Sequence, residues 1–443
     1  MNKQIAKLGV GLLACYLALF VMVNYVQVVR ANELNDDPRN TRAAVRDFDQ
    51  NRGRIISADG VDLAVTVPAA PDSQFEFQRQ YPTGELFGHV TGFLSFEVGA
   101  EGAERAFTDQ LSGEAAEVEY QSITDLFLDR ERVADVTLTV RNDVQQVARD
   151  ALLATGAPRG SVVAIDPRTG AVLAMYSTPS YDPNPLSSHD LQQARDTRNL
   201  LLEATPSPLL ARAYQERFFP GSTFKVITGA VGVDRGVVTN DQPVYPPAQE
   251  FDIDFTDDEL SNFGGSTCGG NLPQILEVSC NSAFATMGVE TIGEAGMTEG
   301  ANRFGFNEDM PFDLPRPATS VFPEDIPDNE GNGPLARASI GQGDVAATPL
   351  MMAMVAGAIA NDGVMMVPHV LDRVTDERGE VIEQFEPEVW TTAVRPEAAA
   401  TMRAAMIGVV QSGSGTRAQI PGVEVGGKTG TAQLGTSPPS SHA

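Results

Sequence analysis

The sequence predicts an α/β (α+β) chain, with a mixed sheet covered by helices, a mainly β or extended segment ahead of it and one apolar N-terminal helix. Three observations point there. A hairpin is written into the middle of the chain, Ser161–Ile165 and Ala171–Tyr176 around the turn Asp166-Pro167-Arg168-Thr169-Gly170. Helical stretches follow it and a glycine-rich strand comes late, an order that needs one mixed sheet with helices on its faces. Far upstream, Leu8–Val23 is apolar without a break.

That run extends to Val29, interrupted only by Asn24 and Gln27, enough to span a hydrocarbon core of about 30 Å. Residues 8–29 therefore read as a transmembrane signal anchor. Lys3 and Lys7 precede it, and Glu33, Asp36 and Asp37 follow Arg30. This bias makes 1–7 a cytoplasmic tail and places the rest outside, a single-pass membrane protein. A cleaved signal peptide is the alternative, but Val29-Arg30-Ala31 is a poor cleavage site and the run is longer than a signal core. Residues 30–140 carry no nucleophile–base pair and read as a non-catalytic pedestal.

Residues 141–443 hold the chemistry. Val136–Val140 alternates like a strand and leads into a helix over Asp143–Leu153. After the hairpin, Leu200–Phe218 is helix-like. Residues 232–275 are loop-rich and acidic, and Ile275–Ile292 is helical. Thr348–Ala360 is a strongly apolar helix behind Gly341-Gln342-Gly343, and Glu397–Val410 is another. Gly422–Leu434 is the late strand, and Thr436–Ala443 is rich in Ser and Pro.

A net charge of −28 over 443 residues excludes a polyanion-binding role, so no nucleic acid partner is expected. No C-x-x-C or H-E-x-x-H occurs, so neither a metal nor another cofactor is expected. Histidines 89, 189, 369 and 442 are scattered and read as structural or surface groups. Cys268 and Cys280 are the two cysteines outside the apolar run. A disulfide between them in an oxidising compartment and a core role for Cys280 are both open.

The stretch around which the rest is organised is Pro220-Gly221-Ser222-Thr223-Phe224-Lys225. Proline and glycine stop the preceding element, and Ser222 opens a helical pattern at the positive end of its dipole. Lys225 lies one turn on, on the same face. The dipole and apolar burial both push its amine toward the neutral form, able to take a proton from the serine. Alone, this is also what an N-cap serine with a solvated lysine looks like.

Two further signals follow in order, Ser279-Cys280-Asn281 on a helix or its edge and Lys428-Thr429-Gly430 on a strand. The ordered set S-x-x-K, S-x-N and K-T-G marks penicillin-binding proteins and class A β-lactamases. Acyl transfer needs a nucleophile, a base, an oxyanion site and a clamp for a carboxylate. Ser222 and Lys225 supply the first two. Ser279 can relay a proton to the leaving amine, and Asn281 can bond the substrate amide. Lys428 and Thr429 can hold a carboxylate, and Gly430 leaves room for a substrate backbone. The N–H groups of Ser222 and Thr431 would form the oxyanion hole.

From about Asn51 onward the chain resembles a class B penicillin-binding protein, a monofunctional D,D-transpeptidase, most like the penicillin-binding protein A type. The resemblance rests on Arg52-Gly53 with Asp59-Gly60, Gly160–Pro167 with Thr169-Gly170, and Pro220–Lys225. Gly341-Gln342-Gly343 with Thr348-Pro349-Leu350, and Gly426–Gln433, complete it. It implies the penicillin-binding/β-lactamase-like transpeptidase fold and a dimerisation-like pedestal. It also implies an enzyme anchored in the bacterial cell membrane, serving cell division or cell shape, that cross-links peptidoglycan stem pentapeptides through Ser222. Such an enzyme is acylated by D-Ala-D-Ala ends or by β-lactam antibiotics. A separate glycosyltransferase and divisome or elongation proteins would be its partners. In this family further strands and a helix follow the K-T-G strand, so a chain stopping thirteen residues after Gly430 is expected to lack them.

Three rival readings stand beside this one. A serine β-lactamase would want an E-x-x-L-N loop between Asn281 and Lys428, and the string is absent. A non-catalytic β-lactam sensor or cell-wall scaffold would keep the acylated domain without turnover. Gly422–Thr429 also fits the Walker A pattern, but a P-loop needs a helix immediately after it.

Overall fold

The computed structural model describes residues 2–25, 48–113, 133–254, 259–324, 331–432 and 441–442. The end of the apolar run (26–29), parts of the pedestal (30–47 and 114–132) and most of the Ser/Pro-rich tail lie outside the described residues. Helix α1, Asn2–Asn24, has a mean hydropathy of 1.8 over Lys7–Asn24, with none of that window buried. Its 23 residues extend roughly 35 Å, long and apolar enough to cross a membrane.

The pedestal is built on β1 (Ile55–Ile56), β2 (Asp62–Pro68), β3 (Phe77–Gln80) and β4 (Asp135–Leu138). The β1–β2 turn closes at Asp59-Gly60, where Gly60 takes a φ of 81° that a side chain would resist. Ser57 Oγ donates to Asp59 there (2.6 Å), and Asp59 also accepts from Asn142 N (2.9 Å) at the start of α2, Asn142–Ala154. A carboxylate at a helix N-terminus is favoured by the dipole.

The catalytic part continues with the hairpin of β5 (Gly160–Ile165) and β6 (Val172–Thr178), paired from Gly160↔Thr178 to Ile165↔Val172. Then come α3 (Leu191–Glu203), α4 (Lys225–Asp234), the pair β7 (Glu250–Asp252) and β8 (Glu259–Ser261), and β9 (Cys268–Gly270). Helices α5 (Leu272–Glu277), α6 (Asn281–Thr286) and α7 (Pro349–Ala360) follow, then β10 (Leu371–Thr375), β11 (Val381–Gln384), α8 (Pro396–Gln411) and β12 (Thr431–Ala432). Helix α4 is buried from Lys225 to Gly232 and packs against α8, while α7 packs on β5. Phe224 leads α4 into a nest with Phe306 and stacks on Phe322, ring centroids 5.4 and 5.5 Å away.

The expected pedestal boundary at residue 140 is bridged by a sheet. The order β11-β10-β4-β1-β2-β3 brings β10 and β11, from the catalytic half, into the pedestal's sheet. Val136 of β4 is flanked by Ile55 on one side and Val374 on the other. Neither β10 nor β11 is among the strands that the sequence predicts, because partners so distant in sequence leave no local signal.

Three elements differ from expectation. Leu200–Phe218 is not one helix: α3 ends at Glu203 and a short turn, Arg212–Gln215, follows. Pro206 and Pro208 carry no N–H to continue the ladder. Ile275–Ile292 is interrupted between α5 and α6. The late strand is confined, among the described residues, to Thr431–Ala432, paired with Ser441–His442; Gln433 and Leu434 fall outside them. Residues 426–430 run over α8 instead, with Gly427 N donating to Met406 O (3.0 Å). No helix follows Thr429 among the described residues, so the Walker A context is not met.

Candidate active site

Ser222 occupies a single 3₁₀ turn, Gly221–Phe224, that feeds directly into α4. Gly341 clamps this turn from outside: Gly221 N donates to Gly341 O (2.9 Å), and a Cβ on Gly341 would stand 2.2 Å from Gly221 O. Gly341 also has a φ of 74°, so both space and backbone demand glycine in Gly341-Gln342-Gly343.

Lys225 is 0% exposed. Its Nζ donates to Ser279 O (2.8 Å), Asn281 Oδ1 (2.5 Å) and, more weakly, Ser279 Oγ (3.3 Å). Burial, aided by the nearby Lys428 ammonium, holds the Lys225 amine well below the usual lysine range. Lys428 Nζ donates to Ser279 Oγ (2.8 Å) and Thr429 O (2.9 Å), and burial lowers it to about 8. Ser279 Oγ thus accepts from both lysines, which leaves its own proton free for a third group.

The break between α5 and α6 produces this geometry. Ser279 has a φ of 58°, Cys280 N donates to Ile275 O (2.9 Å) and Ser279 N to Leu276 O (3.1 Å). This is the Schellman ending of a helix, with Ser279 where glycine is usual. A left-handed serine is strained, and such strain gathers at functional positions. Asn281 then opens α6, with Oδ1 on Lys225 and Nδ2 donating to Ser261 O at the end of β8 (2.8 Å). Both ends of its amide are therefore occupied by the protein itself.

Cys280, between these two residues, is joined to Cys268 of β9 as a disulfide with Cα atoms 5.8 Å apart. The third segment completes the site. Thr429 Oγ1 lies 2.8 Å from Ser414 Oγ, Gly430 is buried, and the β12 strand carrying Thr431 packs against the Ser222 turn. Ser222 Oγ itself has no hydrogen-bond partner among the described residues.

The structure thus brings Lys225, Ser279, Asn281 and Lys428 into one hydrogen-bonded cluster beside Ser222, with Thr429, Gly430 and Thr431 along its edge. Sequence reasoning missed Ser414 and Ser261. Ser261 acts through its backbone, which no residue type announces, and Ser414 stands in a Ser/Gly loop that looks like any other.

A family model described as the penicillin-binding protein transpeptidase domain matches residues 160–443, and one described as the penicillin-binding protein A dimerisation domain matches 52–136. The chain is 37% identical over 452 residues to a peptidoglycan D,D-transpeptidase PbpA of Mycolicibacterium smegmatis, covering 99% of this chain and 88% of that protein. It is 35% identical to the PbpA of Mycobacterium tuberculosis, with the same coverage. Penicillin-binding protein A from M. tuberculosis, solved as an imipenem acyl-enzyme complex, superposes with a TM-score of 0.81 at 34% identity, covering 89% of both chains. Its penicillin G acyl-enzyme complex gives 0.79 at 33% identity, covering 88% of each. A transpeptidase model that spans most of the chain, and relatives above 30% identity matched almost end to end, lead to one conclusion: the chain belongs to the penicillin-binding protein transpeptidase family.

Proposed function

We propose that the chain is a peptidoglycan D,D-transpeptidase that works through an acyl-enzyme on Ser222 and is blocked there by β-lactams. Once neutral, Lys225 keeps its two protons for Ser279 O and Asn281 Oδ1, and its lone pair takes the Ser222 proton as Oγ attacks the penultimate D-Ala carbonyl of a stem pentapeptide. The N–H groups of Ser222 and Thr431 receive the oxyanion. Ser279 passes its proton to the departing amine and takes a replacement from the Lys225 ammonium, within reach of its Oγ (3.3 Å), the C–N bond breaks and D-Ala leaves. An acceptor amine then attacks the ester, and the proton path runs backward to restore Ser222. Lys428 and Thr429 hold the terminal carboxylate, and Asn281 bonds the substrate amide once it is released from its resting contacts. The reading is carried by one observation, the convergence of Lys225 and Lys428 on Ser279, with Asn281 bonded to Lys225 and Lys225 one helical turn beyond Ser222.

Helix α1 anchors the enzyme with its N-terminus in the cytoplasm, a reading supported by Lys3 and Lys7 ahead of the run and the acidic residues after it. Glycan strands would come from a separate glycosyltransferase working with division or elongation proteins. Intact-protein mass spectrometry after benzylpenicillin tests the central step. One stable adduct is expected, lost in Ser222→Ala. Rapid release of hydrolysed drug would make the chain a β-lactamase instead, and no adduct on the wild type would end the proposal.

A further inference from the structure

Just past α8, the loop Ser412-Gly413-Ser414-Gly415 runs between two parts of the active site. On one side Ser414 N donates to Glu277 O (2.9 Å), at the end of the helix that delivers Ser279. Gly413 allows that approach, since a Cβ there would stand 2.5 Å from Glu277 O. Gly415 N bonds Val409 O (3.0 Å) and closes α8. The loop is therefore held by its backbone, and the Ser414 hydroxyl is not needed to anchor it. That hydroxyl is exposed, and its partner among the described residues is Thr429 Oγ1 at 2.8 Å.

Each hydroxyl has one proton and two acceptor positions, whereas a carboxylate only accepts. When Thr429 grips a carboxylate it must spend its single proton on it. The Ser414–Thr429 contact can then persist only with Ser414 as the donor. The chain acquires one direction, Ser414 O–H to Thr429 Oγ1, and Thr429 O–H to the carboxylate. Each bond polarises the next, and the Thr429 rotor is locked in its donating orientation.

We infer that Ser414 is a positioning residue that turns the Thr429 hydroxyl toward the substrate's carboxylate, so that it selects donors ending in a free carboxylate. This deepens the transpeptidase reading and rests on it. The effect passes through Thr429, so it must vanish for a ligand without a carboxylate.

The test measures second-order acylation rates of the full chain in detergent with benzylpenicillin and with its methyl ester, for the wild type, Ser414→Ala and Ser414→Thr. Ser414→Ala is expected to slow benzylpenicillin about three- to tenfold, the worth of one hydrogen bond, and to leave the ester rate within about twofold. Ser414→Thr, which keeps a hydroxyl, restores the benzylpenicillin rate. An unchanged benzylpenicillin rate in Ser414→Ala overturns the inference, and so does equal slowing of both compounds, which would mark a merely structural role. A wild type that neither compound acylates sinks the transpeptidase reading itself, and the inference with it.

Discussion

Two lysines with opposite tasks stand on either side of Ser279. In the proposed mechanism Lys225 must be neutral to take a proton, and Lys428 must be charged to hold a carboxylate. Burial lowers both, and the Lys428 charge lowers Lys225 further. The acylation rate should therefore rise with pH as Lys225 loses its proton and fall as Lys428 discharges at about 8. A stopped-flow pH profile with benzylpenicillin checks both limbs. In Lys428→Gln the alkaline limb should disappear while the acid limb persists, moved to higher pH because the charge that helps to lower Lys225 is gone; an alkaline limb that survives would assign the fall to another group. Replacing Lys225 by Ala should lower the rate by about 10²–10⁴, the usual worth of a positioned base. The residue types of this site were readable because the chemistry demands them. What they touch was not: the double acceptance by Ser279 Oγ exists only once segments 54 and 149 residues apart in sequence meet.

At the level of elements, the site depends on a helix that stops in the wrong way for serine. An apolar pattern through Ile275–Ile292 reads as one helix, because Ser279 carries no local breaker such as proline or glycine. The break follows instead from contacts that Ser279 makes with Lys225 and Lys428, and from the Cys268–Cys280 link to β9. Helices whose apolar face is decided locally, α2, α7 and α8, were legible to within a residue or two at their ends. If the left-handed backbone at Ser279 is strained, Ser279→Gly should be more stable than Ser279→Ala by about 1 kcal/mol, since both lose the hydroxyl and only alanine keeps a Cβ. Both variants should acylate slowly, so stability and activity separate. Urea unfolding of the two variants decides it, and equal midpoints would remove the argument from strain. A second joint lies at Asp313, whose carboxylate accepts from Val370 N (2.9 and 2.8 Å) and Leu371 N (2.7 Å) where the chain enters β10. Asp313→Ala would orphan those donors, and a loss of about 1–3 kcal/mol in the same experiment is the expected result.

Across the whole molecule, the pedestal and the catalytic half share a sheet. Strand β10 pairs with β4 along Leu371↔Leu138 to Thr375↔Asp135, and β6 is tied into the same seam by Val172 N to His369 O (2.9 Å) and Thr139 Oγ1 to Val172 O (2.8 Å). On the pedestal side, Arg52, Arg79 and Tyr81 converge on Glu104, all nearly inaccessible, with Arg79 Nε 2.6 Å and Arg52 Nε 3.3 Å from its carboxylate. Removing one member of a buried charged cluster leaves the others uncompensated, so Glu104→Ala should cost about 3–5 kcal/mol. Because the sheet is continuous, that damage should not stay in the pedestal. A catalytic half cut at residue 141 would expose β10 as an unpaired edge carrying Val374, which is buried in the intact sheet, and such an edge is a template for association. Size-exclusion chromatography and fluorescent-penicillin labelling of 141–443 against 48–443 separate the possibilities. The longer chain should run as a defined species and label, while the shorter should aggregate and label poorly. A monomeric, fully labelled 141–443 would show that the seam is a contact between independent domains rather than part of one folding unit.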